Sequence, residues 1–274
     1  MAHQKEYVLP KNIFCYWNGN MEFSPLVEAC LNTWKSKIEG WSIHFLNDVN
    51  LHEYTSIEFI EKYYKKLDPT KFSDLLRLDL LYNFGGLWMD ISTIIIKPDF
   101  IDIYYREMLE FEYDVTVYEL KKYSNSKDNP FLESWFLMAP RGSRYINDLY
   151  VEMDRAFEMT FLGYRNNVLI PSGVNLNGVL DLKTNDTYLI IHAAVNYLIH
   201  IGNKYNINIK DACESMFKIH NDNFWEDAGI SRSLAEPFDQ NKLYAIKLTG
   251  WDRRNISENN FSKVLENIKT HYYN

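Results

Sequence analysis

The chain has 274 residues, and 29 Lys and Arg against 37 Asp and Glu leave a formal net charge of −8. Low counts of Gly (11) and Pro (8) exclude collagen-like and low-complexity chains, and the acidic balance argues against nucleic-acid binding, which needs a basic face. This length suits one large hydrophobic core, so we expect a single domain over residues 1–274.

Strands and helices alternate in the first part of the chain. Residues 13–17 predict a strand that ends in an Asn-Gly turn, and residues 25–34 have helical spacing of apolar positions. A second strand over 41–46 and a second helix over about 56–66 follow. This alternation predicts an α/β sheet with parallel neighbours. Because ligands bind beyond the carboxyl ends of such strands, we expect Trp17 and Asp48 to border one crevice.

The most informative segment is FSDLLRLDLLYNFGGLWMDIST, residues 72–93. Ser73 predicts a helix N-cap, and residues 74–84 predict a helix that is apolar on nearly every side and therefore buried. The pair Gly85 and Gly86 should end that helix. Residues 87–91 then predict a short strand in the interior of the sheet.

Three charged residues of this apolar block are candidates for a site. Asp74 and Arg77 are three residues apart and share one face of the predicted helix. By themselves they fit equally well an acid favoured by the helix dipole together with its salt-bridge partner. Asp90 follows an apolar strand, where an unpaired carboxylate is costly to bury. We therefore expect a ligand, a metal ion or a buried hydrogen-bond partner beside Asp90.

Cysteine usage and apolar runs indicate the compartment. The chain has three cysteines, Cys15, Cys30 and Cys213, without the spacing of a disulfide framework or a metal site, which favours a reducing cytoplasm. The first 12 residues lack a signal-peptide run, and no stretch approaches the roughly 18 apolar residues of a membrane helix. Peripheral association is therefore the form of membrane contact that we expect.

Residues 73–93 resemble the core signature of sugar transferases with a DXD-type motif, and most closely that of the bacterial capsular polysaccharide synthesis glycosyltransferases. The same order of helix, Gly-Gly, strand and Asp is similar to yeast-type mannosyltransferases and clostridial glucosylating toxins. Four other segments also resemble motifs of the capsular group. They are KNIFCYWNG (11–19), WSIHFLNDVNLHEY (41–54), SWFLMAPRGS (134–143) and YAIKLTGW (244–251).

This resemblance implies a GT-A fold, the Rossmann-like fold of nucleotide-diphospho-sugar transferases, with a mixed central sheet. Residues 11–100 would mainly bind the nucleotide sugar, and residues 101–274 would mainly form the acceptor side. The implied reaction moves a hexose or N-acetylhexosamine from a UDP-sugar, with Mn²⁺ or Mg²⁺ and with retention at the anomeric carbon. The implied acceptor is a lipid-linked or oligosaccharide end of a growing capsular or surface polysaccharide, at the inner face of the cell membrane.

The resemblance also assigns roles to particular residues. Asp74 and Arg77 match positions that hold hydroxyls of the donor sugar, and Trp17 matches the base-stacking position. Trp88 matches the aromatic residue before the motif. Asp90 matches the first Asp of DXD, which makes it the expected metal ligand and, together with Arg77, the expected catalytic residue.

The remaining expected binding residues lie at the nucleoside, at the second motif position and late in the chain. Asp48 is expected to reach the nucleoside, and Trp251 to cap the diphosphate from a closing loop. Phosphate oxygens are expected to be neutralised by Lys247, Arg253 and Arg254. Ser92 stands in place of the second Asp of the motif. Because a hydroxyl is a weaker and neutral metal ligand, we expect the cation to be held mainly by Asp90 and the donor phosphates.

Two other functions stay open. Ser92 also fits a nucleotide-sugar-binding protein of the same fold with impaired catalysis. A glycan hydrolase would need two carboxyl groups at a defined separation, and no such pair stands out. Asp181 and Asp186 are the candidates for a carboxylate near the donor sugar, whereas His192 and His200 lie in an apolar helical run typical of core histidines.

Overall fold

The structure is a computed structural model that describes residues 6–18, 25–124, 130–226, 229–235 and 243–272. The strands are β1 (Asn12–Tyr16), β2 (Ser42–Leu46), β3 (Gly86–Met89), β4 (Thr93–Ile95), β5 (Val115–Glu119), β6 (Leu132–Ala139), β7 (Ile207–Asp211) and β8 (Ala245–Lys247). The helices are α1 (Pro25–Lys37), α2 (Ile57–Tyr63), α3 (Pro69–Phe84), α4 (Asp99–Phe111), α5 (Arg144–Glu158), α6 (Phe161–Tyr164), α7 (Ile170–Ser172), α8 (Ile190–His200), α9 (Lys218–Asp222), α10 (Gly229–Ala235), α11 (Gly250–Asn255) and α12 (Phe261–Tyr272).

Within the described ranges the central sheet has six strands in the order β2-β1-β3-β6-β5-β7. Strand β1 pairs in parallel with both β2 and β3, and β5 pairs in parallel with β7. Strand β6 is antiparallel to its neighbours β3 and β5. The predicted α/β class with a mixed central sheet is therefore confirmed. The antiparallel direction of β6 brings its first residues to the edge where β1 and β3 end.

Helix α3 begins one turn earlier than the sequence predicts. Pro69 occupies its first turn, and Asp68 is the N-cap, since its side chain accepts from the backbone N–H groups of Thr70 and Lys71. The predicted cap at Ser73 is therefore wrong, and Ser73 lies inside the helix. The leucines of α3 are buried as expected, because the helix packs against β1, β3 and β6.

The double glycine is required by the backbone at this point. Gly85 ends α3 with a φ of +69°, and Gly86 opens β3 with a φ of +113°. A Cβ atom on Gly86 would lie 2.5 Å from the carbonyl oxygen of Asn12 on the neighbouring strand. Only glycine lets the two strands approach this closely, so the pair fixes where β3 begins. Asp90 follows the last residue of this strand.

A second, two-stranded sheet joins the segment after β3 to the late part of the chain. Strands β4 and β8 are antiparallel, with Thr93 opposite Lys247. The residues around them form a separate small apolar cluster that includes Val264 and Ile268 of α12. This pairing carries Lys247 and the residues after it to the end of β3. None of the described helices has both the length and the hydropathy needed to span a bilayer.

Candidate active site

A cavity of about 380 Å³ opens at the sheet edge where β1 and β3 end. Its walls come from the end of β1, the first two turns of α3, the residues after β3, the start of β6, the start of α8 and the segment after β8. The lining includes Trp17, Ser73, Asp74, Arg77, Asp90, Ser92, Glu133, Ser134, His192, Lys247 and Arg253. The predicted meeting of Trp17, Asp74, Arg77 and Asp90 at one cavity therefore agrees with the structure.

Asp90 lies at the centre of the polar wall, with 30% of its side chain exposed. The Lys247 ammonium is 3.2 Å from its Oδ2, and the Arg77 guanidinium is 3.9 Å from its Oδ1. The Trp88 indole N–H donates to Oδ1 at 3.1 Å. Burial by itself raises the pKa of Asp90, but the Lys247 and Arg77 charges outweigh it and hold the pKa below its usual value. The carboxylate is therefore ionised at neutral pH.

Arg77 is held rigidly and is nearly inaccessible. Its Nε donates to the Ser73 carbonyl, one terminal nitrogen donates to the carbonyl and hydroxyl of Ser134, and the other donates to the Ser73 hydroxyl. This last nitrogen also lies 3.1 Å from Asp74 Oδ1. The expected binding of sugar hydroxyls by Arg77 is therefore not supported, because all three of its nitrogens already bind other protein groups. Arg77 instead sets the field around Asp74 and Asp90.

Asp74 is the acidic member of the predicted couple. Its side chain is 5% exposed and lines the cavity beside Arg77. Burial raises the pKa of Asp74, and the Arg77 and Lys71 charges oppose that rise. A buried carboxylate that faces a polar cavity is a strong acceptor for sugar hydroxyls, since such hydrogen bonds are charge-assisted.

Ser92 connects the residues after β3 with the segment after β8. Its Oγ accepts from Lys247 at 2.9 Å and from Arg253 at 3.0 Å, and it donates to the Leu248 carbonyl at 3.0 Å. A hydroxyl has one donor and two acceptor sites, so these three contacts use its full capacity. Ser92 is therefore a common acceptor for two cationic side chains.

The donor set for the expected Mn²⁺ or Mg²⁺ is incomplete. Across the described parts of the chain, no group of three or more His, Cys, Asp or Glu side chains is placed to share a metal ion. Asp90 is a single carboxylate with a cation at each oxygen, and the Ser92 oxygen is already saturated. Because Mg²⁺ and Mn²⁺ prefer several oxygen ligands, these residues do not fit a tight metal site.

Helix α11 carries Arg253 into the site. The Thr249 hydroxyl caps this helix by accepting from the Asp252 backbone N–H. The Asp252 carboxylate in turn accepts from the Thr249 backbone N–H, which completes a capping box. His220 Nε2 lies 2.8 Å from Asp252 Oδ2 and fixes the helix start to α9. The Arg253 guanidinium lies 5.5 Å from the centre of the Trp17 ring. The late segment thus returns to the site, as predicted.

Three of the predicted residues lie outside the lining that the described residues form. Trp88 is 1% exposed and supports Asp90 and Arg77 from behind, with its ring 5.0 Å from the guanidinium carbon. Asp48 accepts a 2.6 Å hydrogen bond from the hydroxyl of Tyr16, which itself lines the cavity. Trp251 is 50% exposed and packs against Arg254. In this arrangement none of the three contacts the cavity.

Glu133 is the carboxylate that sequence reasoning missed. It lies at the start of β6, lines the cavity, and is 3.4 Å from the Nε2 of His192, which is also in the lining. Asp181 and Asp186, the predicted carboxylates, instead accept from backbone N–H groups in turns outside the cavity. A usable signal was present, because an acid next to the resembling motif 134–143 is unusual in an interior strand.

A sequence profile of the capsular polysaccharide synthesis protein family matches residues 2–273. The chain belongs to this family. The curated protein O-glycosyltransferase braB of Annulohypoxylon truncatum is 28% identical over 100 residues, which are 32% of this chain and 24% of that protein. The chain therefore matches only about a quarter of that relative's length.

Two solved structures resemble this member of the capsular polysaccharide synthesis family at low similarity. PaToxG Glycosyltransferase has a TM-score of 0.36 and 13% identity, over 96% of this chain and 87% of that chain. The apo form of the glycosyltransferase GlyE of Streptococcus pneumoniae TIGR4 has a TM-score of 0.46 and 9% identity, over 96% of this chain and 63% of that chain.

Proposed function

We propose that this protein is a retaining glycosyltransferase of GT-A fold, which moves a hexose or N-acetylhexosamine from a UDP-sugar to a growing capsular or surface polysaccharide. The observation that carries the proposal is Asp90 at the end of β3, flanked by Lys247 and Arg77 and facing the same cavity as Asp74. Membership of a capsular polysaccharide synthesis family supports the polysaccharide product.

The cavity offers a separate environment for each part of a nucleotide sugar. The Trp17 ring at the end of β1 suits a stacked uracil, and the Lys247 and Arg253 cations suit the diphosphate. The carboxylates of Asp74 and Glu133 suit sugar hydroxyls. The donor would then lie across the carboxyl ends of β1 and β3 and the start of β6. The carboxyl ends of parallel strands are where ligands bind in sheets of this kind.

The proposed step breaks the bond between the anomeric carbon and a β-phosphate oxygen, and the electron pair stays on that oxygen. The acceptor hydroxyl oxygen bonds to the anomeric carbon on the same face, and its proton passes to the departing phosphate. Protein groups that oppose the developing phosphate charge lower the barrier, because they are already oriented before the bond breaks. This route needs no side-chain base, and Asp90 with Arg77 acts by holding these charges in place.

Several finer parts of the proposal concern the surroundings of the reaction. The acceptor would be lipid-linked or a free oligosaccharide end, met by peripheral association with the inner face of the cell membrane in the cytoplasm. Trp251 would close over the diphosphate and Asp48 would reach the nucleoside after a movement of their segments. The step described above passes through no divalent cation.

The competing candidate is a nucleotide-sugar-binding protein of the same fold with impaired catalysis. Ser92 in the second motif position is the observation that favours it. A donor-hydrolysis assay separates the two, with a panel of UDP-sugars, with and without acceptor oligosaccharides, in Mn²⁺ and in EDTA. We expect slow release of UDP with one donor, and acceleration by the true acceptor.

The informative variant in this assay is Asp90→Asn, and its matched control is Asp102→Asn. Asp102 pairs with Lys11 away from the cavity, at 2.8 Å. We expect the Asp90 variant to lose at least about 100-fold in turnover, by analogy with lost oxyanion donors, while the Asp102 variant keeps its turnover. Binding of UDP with no turnover in the presence of the true acceptor would favour the binding protein. Glycan cleavage without nucleotide would favour a hydrolase.

A further inference from the structure

We propose that the Lys247 ammonium, held together with Arg253 on Ser92, supplies the positive charge at the donor diphosphate that a divalent cation was expected to supply. Turnover then requires neither Mn²⁺ nor Mg²⁺. The inference rests on the proposed function, because it concerns the same donor site, and it replaces the expected cofactor with side chains of the chain itself.

Both oxygens of the Asp90 carboxylate already face donors or cations of the protein. Its Oδ2 faces the Lys247 ammonium at 3.2 Å, and its Oδ1 accepts from Trp88 and lies 3.9 Å from Arg77. A divalent ion at either oxygen would have to displace a cation or stand beside it. Like charges at this separation repel strongly in a partly buried site. The cations already beside Asp90 therefore disfavour a divalent ion at this carboxylate.

The hydroxyl of Ser92 has no hydrogen-bonding capacity left for a metal ion. A metal ligand at this position would have to give up a lone pair that now accepts from Lys247 or Arg253. Its hydrogen is also engaged, with the Leu248 carbonyl. In place of an oxygen ligand for a metal, the second motif position presents a neutral bridge on which two cationic side chains meet.

Lys247 and Arg253 carry more positive charge than the neighbouring described carboxylates compensate. Lys247 is 5% exposed, and a buried ammonium is costly unless it is paired. Asp90 is its partner, but Arg77 shares that carboxylate. No described carboxylate lies within ion-pair distance of Arg253, whose cation contacts Ser92, the Leu248 carbonyl and the Trp17 ring. Positive charge beside an open cavity suits a dianionic diphosphate.

These contacts place two sets of N–H donors where the leaving group would gain charge. When the bond to the anomeric carbon breaks, the electron pair stays on the phosphate oxygen, and the Lys247 and Arg253 donors oppose that charge. Both are fixed in advance by Ser92, so little reorganisation is needed as the charge develops. Lys247 and Arg253 are therefore assigned as the residues that stabilise the leaving diphosphate.

The test compares the wild-type protein with Lys247→Met, in EDTA and across a titration of Mn²⁺. Two quantities are measured, the turnover of UDP-sugar and the binding of UDP by calorimetry, and thermal unfolding checks that each variant is folded. The control is Lys62→Met, since Lys62 pairs with Asp154 and Glu158 outside the cavity. We expect wild-type turnover and UDP affinity to change less than about threefold between EDTA and Mn²⁺, whereas a cation that opposed the leaving charge would contribute about 100-fold.

In EDTA, the Lys247 variant should lose at least about 100-fold in turnover, and the Lys62 variant should match the wild type. Mn²⁺ should restore part of the loss in the Lys247 variant, because Asp90 is then free to bind it. A wild-type protein whose UDP binding or turnover collapses in EDTA and returns with Mn²⁺ overturns the inference. UDP binding that is insensitive to EDTA, with no turnover of any donor, would instead refute the proposed function and leave the charge assignment standing.

Discussion

Replacing Ser92 by alanine removes one hydroxyl from the point where two distant parts of the chain meet. That hydroxyl is 3% exposed, accepts from Lys247 at 2.9 Å and Arg253 at 3.0 Å, and donates to Leu248. After the change, Lys247 keeps the Leu248 carbonyl and Asp90 as partners. Arg253 keeps a longer contact of 3.3 Å to the same carbonyl. The two cations lose their common anchor.

The size of the effect follows from these contacts. A hydrogen bond to a charged group contributes about 1.5–3 kcal/mol, and two such bonds are lost. Because both donors keep a second acceptor, we expect a loss of about 2–4 kcal/mol in the free energy of unfolding. For a chain of this length, that loss lowers the melting temperature by about 4–8 °C, at about 2 °C per kcal/mol. Turnover should fall about 10- to 100-fold, since each 1.4 kcal/mol is a factor of about ten.

The assay pairs thermal unfolding with donor turnover for Ser92→Ala, Ser92→Thr and Ser143→Ala. Threonine keeps the hydroxyl and should restore most of the turnover. Ser143 is equally buried but caps α5 outside the cavity, so its variant should lose about 1 kcal/mol of stability and keep its turnover. A Ser92→Ala protein with wild-type melting and turnover would refute the claim that this hydroxyl organises the cationic pair.

Two further predictions concern the carboxylate of β6 and the histidine of β2. Glu133→Gln should lower turnover at least about tenfold, because a charge-assisted acceptor becomes neutral, with little change in melting; UDP release at the wild-type rate would remove Glu133 from the donor site. Burial lowers the pKa of His44 below its ordinary value of 6.5, so the unfolded chain binds more protons than the folded one. Stability should therefore fall as the pH drops from about 7 through 6.5 toward the lower folded pKa. Between pH 8 and pH 5, the melting temperature should depend less on pH for His44→Gln than for the wild type. Equal pH dependence in the two proteins would contradict the reasoning.

The sequence by itself determined the local secondary structure around Asp90. The apolar helix, the double glycine, the short strand and Asp90 are a run of neighbours, so their order and their approximate ends follow from spacing and backbone preference. The ion pair between Asp74 and Arg77 follows from three-residue spacing on one helix. The helix start was misplaced, because Asp68 and Pro69 form a stronger capping signal than Ser73.

The tertiary structure decided what those pieces do. Lys247 meets Ser92 across 155 positions of the chain, and this contact depends on the register of β4 against β8. Arg77 gives its donors to Ser134 as well as to Ser73, and Glu133 enters the cavity because β6 runs antiparallel to β3. Residue type and period specify which face of an element is apolar, whereas strand order and register specify which polar groups meet. That is why Asp90, Arg77 and the cations Lys247 and Arg253 could be named from the sequence, whereas the meeting of the two cations on Ser92 could not.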